Sequence, residues 1–262
     1  MSQPSLGMGL LVVLALAGAA QAASIKPWLC PPKQFDSVAG FDLAKFISAP
    51  WYVQKQTVLK YQPASSLFCV RAKYLPIDAK NLTKGVRVCN YANTGAVNKA
   101  PVGTCLAQAG VAAPAGKGPS FEMVALPWPV RRSNPDTAAS KLLVGPTFQL
   151  AGKTPDDLAK PPAPGQPRAA GPYWVVAVGP SKTPALGYDW AIITGGAPSQ
   201  ATENDACLPS LKNDDGFWLF SRVPVAPKAQ LDAMLAAATA LRLDTAALVP
   251  VTQAGCTYAG AA

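Results

Sequence analysis

The period of the hydrophobic pattern changes within one short stretch, Phe41 to Gln56, and this change limits the possible folds more than any other feature. Phe41, Leu43 and Phe46 can meet on one side of a short helical turn. From Trp51 onward the period becomes two, which is typical of a β-strand with one buried face. The sequence therefore predicts a short helix that leads through a turn into the first strand of a sheet.

Later stretches repeat this two-residue alternation and show which side chains point inward. In Leu67 to Leu75, Arg71 and Lys73 share one face, and charged side chains need water. The opposite face should then be buried, which turns Cys69 outward, and similar reasoning turns Cys89 outward in Val86 to Tyr91. The strands together give these inward residues: Val70, Ala72, Tyr74, Val86, Val88, Asn90, Trp218 and Phe220.

The remaining elements indicate a sheet covered by one helix. Further strands are predicted at Phe121 to Leu126, Lys141 to Leu150, Tyr173 to Val178, Tyr188 to Thr194, Phe217 to Val223 and Leu248 to Val251. Between the last two the pattern becomes helical from Lys228 to Arg242. Its apolar stripe is formed by Leu231, Met234, Leu235, Ala238 and Leu241. A lone amphipathic helix after a set of strands needs a sheet surface to cover.

The first residues have the form of an export signal. An apolar run from Leu10 to Ala20 precedes a small-residue cleavage site at Ala22, and the run is too short to span a bilayer. We expect residues 1–22 to be a signal peptide, 23–40 an extended arm and 41–258 one barrel domain. Long Pro/Ala-rich loops are expected at about 106–120, 127–140, 151–172 and 195–216. The alternatives are that these residues stay attached as a membrane anchor or that they are a plastid-targeting peptide. No later stretch is predicted to cross a membrane.

The cysteine and histidine counts restrict the chemistry. Six cysteines behind a signal peptide indicate disulfides, and Cys89 and Cys105 flank a turn that a local bridge could staple. A reactive thiol at Cys89 is the alternative. The chain has no histidine, which excludes histidine-based hydrolysis and haem–histidine ligation. We expect no metal site and no cofactor.

The net charge of +9 comes from scattered basic residues, and no nucleic-acid motif accompanies them. The charge therefore predicts a solvated basic surface and no nucleic-acid partner. Attraction to an anionic polysaccharide or membrane surface is the alternative. Asn81 begins an Asn-Leu-Thr sequon in the connection after the second strand, which predicts an N-glycosylation site.

Taken in order, these stretches resemble a lipocalin, most closely the apolipoprotein D-like branch. FDLAKFISAPWYVQKQ resembles the family's entry to the barrel, although Ala49 stands where the family has Gly. LFCVRAKYL, GPYWVVAVG, YDWAIIT, GFWLFSRVP and PKAQLDAMLAAATALRLDT follow in the family's order. The family's turn motif after the YWV strand is absent, since Val178 is followed by Gly-Pro. The resemblance implies an all-β fold, an eight-stranded antiparallel up-and-down barrel with a C-terminal α-helix packed outside.

The resemblance also implies structural roles for named residues. The family packs an arginine from the end of the last strand over the entry tryptophan, and that pair would be Arg222 and Trp51 here. It implies a Cys69–Cys256 bridge and a Cys30–Cys207 bridge, which leaves Cys89–Cys105. The sequence alone leaves about 15 pairings open for six cysteines.

The expected function is that of a secreted carrier for a small hydrophobic ligand such as a fatty acid, sterol, bilin or carotenoid. An eight-stranded barrel is just wide enough for one such ligand. Trp218 is expected to stack on it, Tyr74 and Asn90 to hydrogen-bond it, and Val70, Ala72, Val88 and Phe220 to line the pocket. One alternative is a lipocalin-fold enzyme of the de-epoxidase or isomerase type. Another is a filled barrel that works through its charged loops. The expected location is extracellular or the secretory-pathway lumen, with a plastid or thylakoid lumen as the alternative.

Overall fold

A computed structural model describes residues 30–106, 122–163, 166 and 168–262. The predicted signal peptide, the start of the arm (23–29), most of the 106–120 loop and Phe121 lie outside these ranges. Eight strands form the barrel: β1 Trp51–Gln56, β2 Phe68–Pro76, β3 Val86–Asn93, β4 Met123–Pro127, β5 Lys141–Pro146, β6 Gly171–Pro180, β7 Tyr188–Thr194 and β8 Phe217–Ser221. The helices are α1 Leu43–Ile47, α2 Thr147–Leu150, α3 Pro155–Leu158 and α4 Lys228–Ala240. Short strands outside the barrel are Pro101–Gly103, Gln200–Ala201, Cys207–Leu208 and Val249–Pro250.

The sheet closes on itself, which confirms the predicted fold class. Each barrel strand pairs antiparallel with the next along the chain, and β8 pairs back onto β1, with Val53 opposite Phe220 and Gln56 opposite Trp218. Closure leaves no long unpaired edge to recruit another chain. The barrel has two ends. The connections β2–β3, β4–β5 and β6–β7 lie at the end that α1 covers, and those after β1, β3, β5 and β7 surround the mouth.

The C-terminal helix covers the outside of the barrel, as its apolar stripe predicts. Met234 and Ala238 of α4 are fully buried and pack against Ile192, Phe217 and Leu219. These three residues alternate with the inward residues of β7 and β8, so their side chains face outward. The helix ends at Ala240, two residues before the predicted end.

The C-terminal segment fills a gap where β1 and β2 separate. These strands pair only through Trp51 and Tyr52, and Val249–Pro250 pairs with the rest of β1. The Gln253 side-chain amide donates hydrogen bonds to the carbonyls of Val53 and Val70, each 2.7 Å long. The tail is therefore part of the barrel wall.

Two stretches differ from the sequence-based expectation. The predicted strand Lys141 to Leu150 stops at Pro146, and its last four residues form α2. Leu150 there packs against Leu143 and Leu158, so burial of an apolar side chain competes with extension of the strand. The expected loop 151–172 contains α3. Thr154 and Asp157 form a capping box at the start of this helix, in which each side chain accepts a hydrogen bond from the backbone N–H of the other.

The three disulfides are Cys30–Cys207, Cys69–Cys256 and Cys89–Cys105, the pairs that the resemblance implies. The first ties the N-terminal arm to the segment before β8, and the second ties the tail to β2. Cys69 is fully buried, although it points away from the lumen, because Tyr91, Leu106 and the tail cover it. Among the described residues, no helix combines the length and the apolar character needed to cross a membrane.

Candidate ligand-binding site

The covered end of the barrel is built around Trp51 and Arg222. Trp51 is fully buried, and the Arg222 guanidinium carbon lies 3.6 Å from its ring centroid. The guanidinium donates hydrogen bonds to backbone carbonyls around it: Lys45, Phe46, Ala49, Pro50 and Tyr188. Burial lowers the pKa of Arg222 to about 10, which still leaves the side chain charged at neutral pH. This arrangement closes one end of the lumen and fixes the short helix that leads into β1.

Two tyrosines from opposite walls meet in the middle of the lumen. The hydroxyls of Tyr74 on β2 and Tyr173 on β6 lie 2.7 Å apart, within hydrogen-bond distance. Burial raises the pKa of both phenols, so both stay protonated at neutral pH. The Trp218 ring lies nearly parallel to the Tyr173 ring, with the centroids 6.4 Å apart. The three rings form a floor between the covered end and the mouth.

Trp218 is an inward residue that stays partly accessible, as do Met123 and Val144, which also pack against the inner cluster. It occupies the inner face of β8 two residues before the buried Phe220, yet it is only partly buried. Its ring packs over Gly216, where an added Cβ would lie 2.2 Å from the indole. A glycine at this position therefore lets the ring adopt this placement. Trp218 is thus an aromatic surface that a molecule entering from the mouth could contact.

The structure places the predicted pocket residues on one face of the sheet, but the side chain of one of them is exposed. Val70, Ala72, Val88 and Phe220 are buried in the inner cluster with Tyr74 and Val86. Asn90 is exposed and does not join them. Past Val88, β3 leaves its barrel partner β4 and pairs from Tyr91 onward with Pro101–Gly103. Asn90 still lies opposite Ala72 on β2 and two residues before Ala92, both in the inner cluster, so it keeps the inward parity at the edge of the closed part of the barrel.

Gln56 is an inner-face residue that the sequence analysis did not single out. It lies opposite Trp218 and is fully buried. Strict alternation from Trp51 would place Lys55 inward and Gln56 outward, but a bulge between Val53 and Lys55 reverses the faces. The signal available in the sequence was Lys55 itself, because a lysine at an inward position conflicts with the pattern.

The predicted glycosylation site lies on the surface. Asn81 is exposed, and its side-chain oxygen accepts a hydrogen bond from the Thr83 amide in the turn between β2 and β3. Its modification stays a prediction.

Two cavities lie outside the barrel, beside the segment that follows α3. Their volumes are about 300 and 70 Å³, and they share Leu158, Lys160 and Arg168 in their walls. Lys153 and Asp157 also line the larger one, and Asp157 forms an ion pair with Lys160, so this surface has a net excess of basic side chains. In the part of the chain that the structure describes, no three acidic or cysteine side chains are grouped so that they could hold a metal ion.

Comparison with known proteins gives only distant structural likenesses. No protein-family model matches the chain, and no curated protein matches it. The solved structures that resemble it include insecticyanin from the tobacco hornworm Manduca sexta, with 15% identity, a TM-score of 0.47 and coverage of 89% of this chain and 94% of that chain. The allergen Per a 4 from cockroaches has 12% identity, a TM-score of 0.46 and coverages of 84% and 92%. Lobster apocrustacyanin A1 has 14% sequence identity and a TM-score of 0.44, and the match covers 86% of this chain and 93% of that chain. At these scores we base the fold on the barrel's own strand pairing and draw no functional argument from the likenesses.

Proposed function

We propose that the protein is a carrier that holds one small hydrophobic molecule in the mouth-side half of its barrel. The observation that carries this proposal is the placement of Trp218, an aromatic ring on the inner face that stays partly exposed beside the buried Tyr173. The surrounding inner face is mainly apolar, with Gln56 as a buried polar residue opposite Trp218, which suits a hydrophobic molecule with one or two polar groups. Fatty acids, sterols, bilins and carotenoids are the ligand classes of this kind.

Secretion is part of the proposal. All six cysteines are in disulfides, which form and persist in oxidising compartments. The Asn81 sequon lies exposed, where a glycosyltransferase could reach it. The extracellular space or the secretory lumen fits both features, and the apolipoprotein D-like branch of the lipocalins stays the family we propose.

The two enzyme alternatives lack support from the inner face. A de-epoxidase would need carboxylates inside the barrel. Of the chain's 14 acidic residues, all of which lie within the described ranges, only Asp215 and Asp244 are buried, and they are paired with Arg168 and Asn204, respectively. An isomerase would need a free inward thiol, whereas Cys89 is bonded to Cys105. We therefore favour binding over catalysis.

A filled barrel that works through its surface is the second candidate. The contact between Tyr74 and Tyr173 across the lumen favours it, because that contact already fills the centre of the barrel. The basic cavities beside Lys160 and Arg168 would then be the working surface, with an anionic polysaccharide as the partner.

Substituting Trp218→Ala separates these candidates. We expect affinity for the apolar fluorescent probe N-phenyl-1-naphthylamine to fall about tenfold, because the substitution removes a large stacking surface. The matched control is Trp190→Ala on β7, since Trp190 packs on the outer face and should not affect the probe. Fluorescence titration gives the affinities, and urea unfolding confirms that both variants are folded. Unchanged affinity in folded Trp218→Ala would refute the pocket, and the absence of binding to the unsubstituted protein would favour the filled barrel.

A further inference from the structure

We propose that Gln56 selects a ligand that carries a hydroxyl group, by accepting a hydrogen bond from it inside the barrel. This inference rests on the carrier function proposed above and narrows its ligand class. It assigns a specificity-determining role to a residue on β1.

The strand register places Gln56 on the inner face. Residues directly opposite each other in an antiparallel pair project to the same side of the sheet. Gln56 lies opposite Trp218 on β8 and opposite Val249 of the C-terminal segment, and both pack against the inner cluster. The Gln56 side chain is therefore a neighbour of the accessible Trp218 ring, and its own exposed fraction is 0%.

The orientation of the amide follows from its neighbours. The Gln56 side-chain nitrogen lies 3.3 Å from the Thr57 carbonyl oxygen and 3.0 Å from the Gln62 side-chain oxygen. A backbone carbonyl can only accept, so the nitrogen must be the atom that faces it. The amide oxygen, Oε1, is then the other terminal atom, and it is buried without a hydrogen-bond partner among the described residues.

A buried acceptor without a partner costs free energy that a donor from a ligand would recover. The Tyr74 and Tyr173 hydroxyls at the floor each already have a partner, because one donates a hydrogen bond to the other. Within the ranges that the structure describes, three more buried side-chain polar atoms have no hydrogen-bond partner: Thr194 Oγ1, Trp128 Nε1 and Trp174 Nε1. Thr194 lies opposite Phe217 on the outer face, and Trp174 lies opposite Thr194, so neither faces the lumen. Trp128 lines the smaller outer cavity.

The chemistry of the acceptor narrows the ligand class. A neutral alcohol can donate to Oε1 while its apolar body contacts Trp218. An ionised carboxylate has only acceptors, so it would oppose the amide oxygen. Among the proposed ligands, hydroxylated sterols, hydroxylated carotenoids and long-chain alcohols therefore fit better than fatty-acid anions.

A matched pair of probes tests the inference in the intact protein. Dodecanol and dodecyl methyl ether share an alkyl chain, but only the alcohol can donate a hydrogen bond. We expect dodecanol to displace N-phenyl-1-naphthylamine about fivefold more effectively than the ether, the size of one net hydrogen bond. In Gln56→Leu this preference should disappear, while the affinity for the ether stays or rises. The control Gln54→Leu, two residues earlier, should keep the preference, because Gln54 bonds to the carbonyls of Tyr52 and Pro224.

The possible outcomes separate the inference from the carrier function. Equal displacement by both probes in the unsubstituted protein would overturn the role of Gln56 and leave the carrier function intact. Binding of N-phenyl-1-naphthylamine with displacement by neither probe would also overturn only the role of Gln56, whereas the absence of N-phenyl-1-naphthylamine binding would overturn both. If Gln56→Leu does not fold, Gln56→Met keeps the length of the side chain and should likewise lose the preference. A folded Gln56 variant that keeps the fivefold preference would also overturn the inference.

Discussion

Replacing Arg222 with methionine should lower the free energy of unfolding by about 4 kcal/mol, because the change removes a charged group that donates to several backbone carbonyls at the covered end of the barrel. Arg222 donates to the carbonyls of Phe46 and Tyr188, among others, and its guanidinium packs over the Trp51 ring at 3.6 Å. The cation–aromatic contact adds about 1–2 kcal/mol to this estimate when it is desolvated. Methionine keeps much of the side-chain volume, so the loss reports mainly on the polar contacts. Guanidinium unfolding monitored by tryptophan fluorescence measures it.

Two further variants test the cause of that loss. Arg222→Lys keeps the positive charge but replaces the planar guanidinium and its five N–H donors with an ammonium group. It should therefore recover only part of the lost stability. Arg132→Met removes an exposed arginine whose partner is Asp156, and it should cost about 0–1 kcal/mol. Equal losses for Arg222→Met and Arg132→Met would contradict the structural role that we assign to the covered end of the barrel.

Removing the Cys69–Cys256 bridge should destabilise the protein more than removing Cys89–Cys105. The first pair is separated by 187 residues and the second by 16. In the chain-entropy model these separations correspond to about 5 and about 3 kcal/mol, respectively. Loss of the first bridge also frees the segment around Gln253 that fills the gap between β1 and β2.

The comparison uses the double variants Cys69→Ala/Cys256→Ala and Cys89→Ala/Cys105→Ala, which leave no unpaired thiol from the deleted bridge. Thermal unfolding and guanidinium unfolding should both rank the first variant as the less stable. A larger loss in Cys89→Ala/Cys105→Ala would show that the tail contributes little to the barrel wall.

The alternation of charged and apolar residues was sufficient to predict much of the inner face. Arg71 and Lys73 need water, so Val70, Ala72 and Tyr74 had to point inward, and the structure buries all three. The covering helix was predictable for a similar reason, because an apolar stripe on a helix needs a sheet to pack against. The three disulfide pairs came from the family resemblance and not from the spacing of the cysteines.

Alternation failed where the strands are irregular. The bulge between Val53 and Lys55 turns Gln56 into the lumen, and a simple count along β1 places it on the other face. Asn90 lies where β3 loses its pairing with β4, so its inward parity does not lead to burial. The contact between Tyr74 and Tyr173 depends on the closure of the barrel, which brings opposite walls together, and no local pattern encodes it.

The most direct test of the carrier function is to identify what the protein holds when it is made. We would express the full chain with residues 1–22 in a secreting host, purify it without detergent and extract it with organic solvent for mass spectrometry. The account predicts a hydrophobic molecule near one equivalent per chain, neutral and with a hydroxyl group. A protein that yields no such molecule, and that binds neither N-phenyl-1-naphthylamine nor a panel of sterols, carotenoids and alcohols, would contradict the account and favour a filled barrel.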